Sequence, residues 1–328
     1  MPRISGTPSL PRAAVVEPAP GRQPPATAGD PARRGAVDVF EGSKAVSSAD
    51  DVTLPAGLRD LFPAGQKGRA VWVWDEAAGT LPAPARLVDA CRQMGVSQLY
   101  VNAYPATGKH LEQLEQIVAL AAHEGIQTQL LCGAPDWTDP GVRPWIASQV
   151  LEPLQAMLAR VRAQNPGLQV EGALHLDVQP QAGGMTADKA EAYVQMLAWF
   201  QGELGGKLAL AADVPGWFAD PAWTAAGKPL GEAILDQVDQ LTLMAYSRDP
   251  GRIAGIAEPL VAAASALGKK VVVGVETRPS TENVHLASQQ LAGEALSLVD
   301  QAFAGKDAAS GYAGLAVHDF ASLLALPP

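Results

Sequence analysis

The chain has 328 residues, 48% of them hydrophobic, and a formal net charge of −10. It has enough apolar material for a large core, and the acidic balance argues against a nucleic-acid partner, since neutralising phosphates needs a basic face. No apolar run approaches the roughly 18 residues of a membrane-crossing helix.

The first residues are broken throughout by Pro and Arg and lack an apolar stretch of signal-peptide type. The sequence as it stands therefore reads as cytoplasmic by default, and as exported if the true start lies upstream. Residues 1–44 (PSLPRAAVVEPAPGRQPPATAGDPARRG is typical) show no apolar periodicity and predict a disordered Pro/Ala-rich arm. Residues 45–68 read as a linker, with DDVTLPAGLRDLFP a candidate cap on the floor of the domain that follows.

From Arg69 onward a short apolar run, a polar loop and an amphipathic stretch recur. The strand candidates are 69–75, 97–103, 126–132, 170–177, 207–213, 238–246, 269–276 and 311–318. Helices are expected between them, for example over 81–95, 110–125, 187–204 and 285–303. Gly95, Gly125 and Gly268 close helices just ahead of the next strand. Eight strands alternating with helices over residues 69–328 predict an α/β fold, a closed (β/α)8 TIM barrel. No G-x-G-x-x-G follows the first strand, which disfavours an open dinucleotide-binding sheet.

Side chains alternate along a strand, so every second position faces the barrel interior. Five strands then show one gradient, from small or apolar residues to a polar one at the C-terminal end. The series are Ala173, His175, Asp177 and Gln179; Ala209, Ala211 and Asp213; Thr242, Met244 and Tyr246; Val272, Gly274 and Glu276; Gly314, Ala316 and His318. In this architecture function concentrates at that end, so Asp177, Asp213, Tyr246, Glu276 and His318 are expected to meet in one cleft.

Aromatics are 5% of the chain, yet Trp72, Trp74, Tyr104, Trp137, Trp217 and Tyr246 fall near predicted strand ends. Flat rings pack against sugar C–H faces, and carboxylates and amides bind hydroxyls. Trp74, Trp137 and Trp217 are therefore candidate contacts for an oligosaccharide or polysaccharide, Trp137 and Trp217 above all because their loops are polar and Pro-rich. Arg248, in the loop after the sixth strand, is a further candidate. The five histidines are scattered and Cys91 and Cys132 have apolar neighbours, so buried thiols are expected, with no metal site and no cofactor.

At LHLDVQP (174–180) and LMAYSRD (243–249) the sequence resembles glycoside hydrolase family 18, the chitinases and their inactive lectin-like members. In that family the fourth strand ends in D-x-x-D-x-D-x-E and the sixth carries M-x-Y. Asp177 matches the last Asp, and Met244 and Tyr246 match the second signature. His175 stands where the middle Asp is expected, and Gln179 where the catalytic Glu is expected. The chain also resembles a group of uncharacterised bacterial barrels with H-x-D-V-E-P, M-A-Y, G-V-E-T and A-[IV]-H-x-[FY] in order. HLDVQP, MAYSRD, GVETRP and AVHDF reproduce that set except at Gln179.

The resemblance implies a glycan-directed cleft in which Tyr246 hydrogen-bonds a developing charge or a substrate carbonyl. An amide at 179 cannot donate the proton a glycosidase acid supplies. Two readings follow. Glu276, at the strand where many retaining barrel glycosidases keep their nucleophile, works with Asp177 as acid/base, by retention at about 5–5.5 Å carboxyl separation or by inversion at roughly 6.5–9.5 Å. Alternatively the barrel binds carbohydrate without catalysis, having lost its acid. In both readings His175, Gln179, Asp213 and His318 are expected as ligand contacts. A phosphate-handling barrel is disfavoured because ETRPSTEN and HDFASL lack a Gly-rich cradle.

Overall fold

Eight runs rich in Val, Leu and Ala form the strands β1 Gly68–Val73, β2 Gln98–Asn102, β3 Gln127–Cys132, β4 Gly172–Leu176, β5 Ala209–Pro215, β6 Gln240–Met244, β7 Lys270–Glu276 and β8 Tyr312–His318. Within the barrel all pairings are parallel between successive strands, and β1 closes on β8 through Gly68↔Gly314 and Val71↔Val317; a two-residue antiparallel pair, Thr224–Ala225 with Lys228–Pro229, lies apart from it. The computed structural model describes residues 53–62, 67–181, 184–304 and 311–328. The expected arm, residues 1–44, lies outside the described residues. The expected strands agree with the observed ones to within two residues at either end.

Between and after the strands run α1 Pro84–Gln93, α2 Gly108–His123, α3 Glu152–Gln164, α4 Ala187–Leu204, α5 Leu230–Leu235, α6 Pro250–Leu267, α7 Gln289–Ala304 and α8 Phe320–Leu324. Their starts are set locally. The Thr186 hydroxyl accepts the Lys189 N–H at the head of α4, and the Asp249 carboxylate accepts the Gly251 N–H at the head of α6. Gly268 ends α6 with φ 67°, a left-handed turn that suits glycine.

Strand alternation divides the core in two. Outward side chains such as Val71, Leu99, Leu130, Leu210 and Leu243 join the helices in a large cluster. Inward ones form a small one of Ala70, Trp72, Tyr100, Leu131, Val272 and Ala316, so the barrel is filled rather than hollow. Residues 53–62 join the outer layer. Leu54, Leu58, Leu61 and Phe62 are buried there, Arg59 bonds Gln93 at the end of α1, and Leu61 lies beside Gly293 of α7.

Gly314 sits at the closing seam with φ 137°, where an added Cβ would stand 2.0 Å from the Gly68 carbonyl oxygen. No other residue fits there without moving β1. Cys91 and Cys132 are buried free thiols, and burial pushes both pKa values up. Among the described residues no helix is long and apolar enough to cross a membrane.

Candidate active site

The C-terminal ends of the strands bring two layers of polar residues together. The lower layer is buried inside the barrel. His175 of β4 bonds Asp213 Oδ1 of β5 through Nε2 at 2.7 Å, and its Nδ1 is 2.6 Å from the Gln129 side-chain amide of β3. Trp72 of β1 donates its indole N–H to the other Asp213 oxygen at 2.9 Å. Tyr100 of β2 packs on His175 with ring centroids 4.3 Å apart and accepts a hydrogen bond from Gln240. Side chains from β1 to β6 thus brace one another below the mouth.

The upper layer is more open: Trp74, Asp177, Tyr246 and His318 are half-buried, while Glu276 is buried. Glu276, at the end of β7, accepts the backbone N–H of Arg278 at 2.7 Å and faces Nδ1 of His318 at 3.1 Å. Trp74, just past β1, donates its indole N–H to Nε2 of His318 at 2.9 Å. Asp177, just past β4, is half-buried and accepts a hydrogen bond from Gln179 at 3.2 Å. The Tyr246 ring lies 6.1 Å from that of His318. Asp177 and Glu276, which come from strands three apart, both act electrostatically on Tyr246 and on His318.

These groups tune one another. Loss of hydration pushes the Asp177 carboxyl up to about 6; the charge of Asp213 adds to the rise, and Gln179, His175 and His318 hold it back. Loss of hydration, then the charges of Glu276, Asp213 and Asp177, keep Tyr246 well above the usual tyrosine range, hence a neutral O–H donor. For His318 burial opposes charging most strongly, but the Glu276 hydrogen bond and charge, with Asp319 and Asp177, outweigh it and raise the pKa.

With this geometry in view, comparison with known proteins is informative about fold. No family model matches the sequence, and no curated protein does. A GH18 chitinase from Pseudoalteromonas aurantia matches with a TM-score of 0.50 at 12% identity, over 78% of this chain and 94% of that one. The endo-beta-N-acetylglucosaminidase of Cordyceps militaris follows at 0.45 and 10%, over 80% and 84%. A class V chitinase mutant from Nicotiana tobaccum in complex with NAG4 gives 0.42 and 15%, over 65% and 67%. The barrel is similar to that of family 18 chitinases. At such identities the likeness is one of fold, and what the mouth does must be argued from its own residues.

Trp74, Glu276 and Tyr246 meet His318 at the rim, and Gln179 bonds Asp177 at the end of β4. His175 and Asp213 meet them from below, with both ring nitrogens and both carboxylate oxygens engaged in hydrogen bonds and at most 2% exposure. Both lie below the rim rather than on it. They present no free polar atom to the mouth, and their part is to hold the strands that carry Asp177 and Trp74.

Trp137 is buried as well. Its polar sequence neighbours suggested exposure, but the 3-10 turn Pro135–Thr138 folds the indole into the outer core against Phe200 of α4, at 3% exposure. Trp217, just past β5, does face solvent at 36%, backed by Phe218 and Trp223. Arg248 is exposed in the loop after β6. Neither it nor the Arg278 side chain pairs with Glu276; Arg278 reaches Asp319 instead, at 3.9 Å.

Several residues escaped the sequence reading. Gln129 and Tyr100 complete the lower layer, and their signal was polar residues of one parity in β2 (Gln98, Tyr100, Asn102) and β3 (Gln127, Gln129). Asp75, past β1, takes hydrogen bonds from Asn102 and His110, each at 3.1 Å. Exposed Tyr104 and Trp145, in the loops after β2 and β3, stand 6.2 Å apart as an edge-to-face pair. A separate polar cavity of about 280 Å³ lies at the floor of the barrel, lined by Gln98, Gln127 and Gln240. It is remote from the acidic mouth.

Proposed function

We propose that the mouth binds an oligosaccharide and hydrolyses a glycosidic bond, with Asp177 as general acid and Glu276 as its anionic partner. The observation that carries this reading is that two carboxyls act on the same tyrosine and histidine, with one of them pushed up to about 6, since acid and nucleophile roles need carboxyls held in different protonation states. Asp177 protonates the leaving oxygen as the glycosidic bond breaks. Glu276 attacks the anomeric carbon, and water then hydrolyses the resulting ester as Asp177 takes back a proton. Tyr246, a neutral donor among carboxylates, hydrogen-bonds substrate oxygen. Trp217, Tyr104 and Trp145 offer ring faces to sugars along the rim, with Arg248 and Trp74 at the edge of the mouth.

Binding is tested by calorimetric titration of the full chain with a panel of oligosaccharides that includes an N-acetylglucosamine tetramer. The absence of heat with every member overturns the reading. The acid role has its own signature. Asp177 must be protonated to act, so kcat/KM should fall as pH rises through about 6. A rate that keeps climbing through that range means that Asp177 is not the acid.

One observation favours a binding barrel instead. Gln179 donates to Asp177 where an acid would stand in the resembling enzymes. Gln179→Glu separates the two readings. If wild type binds sugar without turnover and Gln179→Glu gains activity, the site is a lapsed hydrolase. If wild type is already active, the new carboxylate replaces a donor to Asp177 with a like charge, and the alkaline limb should move to higher pH.

A further inference from the structure

His318 stands between a pure donor and a pure acceptor. The indole N–H of Trp74 is 2.9 Å from Nε2, and both Glu276 oxygens are 3.1 Å from Nδ1. An indole nitrogen can only donate, so it needs the lone pair of Nε2. The one proton of a neutral imidazole then sits on Nδ1, where it donates to Glu276. We propose that Trp74 is a positioning residue: its N–H locks His318 in the Nδ1–H tautomer that holds the Glu276 carboxylate, and it keeps its place only while His318 is uncharged.

The second half follows from the first. An added proton goes to Nε2 and meets the indole N–H donor to donor, so one ring must leave. His318 is hemmed in by Trp72 at 5.6 Å and Tyr246 at 6.1 Å, whereas Trp74 is half-buried at the rim with solvent to move into. The groups that favour the extra proton are Glu276 from β7, Asp177 from β4 and the adjacent Asp319, while the exposed Arg278 side chain is turned to Asp319. From β1 the influence is the opposing Trp74 dipole, and β6 contributes the neutral Tyr246 hydroxyl. Acidification should therefore release Trp74 from the wall of the mouth, coupling its shape to pH.

The consequence for turnover rests on the hydrolase reading, but the tautomer lock does not, and the experiment keeps them apart. Nitrogen-15 imidazole spectra of the full chain, with His318 assigned by the signal lost in His318→Gln, should show the Nδ1–H form on the alkaline side of its titration. In Trp74→Phe, which keeps ring bulk but has no N–H, the tautomers should mix and His318 should titrate at higher pH. Glu276→Gln should move the titration the other way. An Nε2–H form in wild type, or a Trp74→Phe titration that overlays wild type, overturns the lock. Should Trp74→Phe fail to fold, the wild-type tautomer alone decides. With a glycan that is turned over, Trp74→Phe should lower kcat severalfold with KM little changed. If no glycan binds, the functional reading fails while the spectra still judge the lock.

Discussion

Glu276→Gln should reduce hydrolysis of a bound oligosaccharide by on the order of 10³-fold or more while leaving its affinity within a fewfold of wild type. The substitution is nearly isosteric. The amide oxygen can still accept the Arg278 N–H, now held at 2.7 Å, and the Nδ1–H of His318, so the end of β7 should keep its shape. What disappears is the charge that forms the bond to, or stabilises positive charge at, the anomeric carbon. Affinity and rate must therefore separate: calorimetry reads the first and reducing-end release the second. Equal turnover by the two proteins would remove Glu276 from the chemistry. Loss of affinity and rate together would mean that the carboxylate grips substrate rather than reacting with it.

The barrel was legible because its signal is redundant. Eight apolar runs, their spacing and the glycine stops at Gly95, Gly125 and Gly268 all imply the same parallel repeat, and any one could be misread without changing the fold. The side of each strand was legible for the same reason. Period-two alternation put His175, Asp213, Glu276 and His318 on the inner face, and hydrogen bonds among them and to Trp72 and Trp74 confirm that they face one another.

Depth was not legible. Parity says which way a side chain points but not how far it lies below the rim, because depth depends on strand stagger, which is set by closure. Asp213 is in register with Thr242, and Thr242 with Val272, four residues short of Glu276 along β7. Two carboxylates of one parity thus differ in kind: both are buried, but Asp213 is saturated by Trp72 and His175, while Glu276 lies higher along its strand beside His318. Loop aromatics failed for a related reason. Trp137 and Trp145 have similar local sequences, PDWTD and RPWIA, yet one is folded onto Phe200 and the other is 44% exposed. The partner that decides this, α4, is remote in sequence.

Closure also leads to the largest expected effect on stability. Arg69 at the start of β1 forms a buried ion pair with Asp300 of α7, and the Tyr312 hydroxyl at the start of β8 donates to the same carboxylate at 2.5 Å. The pair lies at the N-terminal end of the β1–β8 seam, and the Trp74–His318 hydrogen bond crosses the same seam at the mouth. Asp300→Ala removes the carboxylate that pairs with a guanidinium at 4% exposure, while the Lys67 and Gly68 carbonyls still accept from Arg69. Breaking one half of a buried pair typically costs about 3–5 kcal/mol, a large part of the roughly 5–15 kcal/mol that holds a domain folded. Urea unfolding should show a midpoint lowered accordingly. Replacing both partners, Arg69→Met with Asp300→Leu, should recover most of the loss, because no charge is then stranded. If Asp300→Ala unfolds like wild type, the pair is not what fastens the ring. If the double variant is as weak as the single, the cost comes from lost packing or from Tyr312 rather than from charge. In the intermediate case, where Asp300→Ala folds but is loosened, the Trp74–His318 bond should weaken with it, since the two strands that carry those rings are aligned by the seam the ion pair secures.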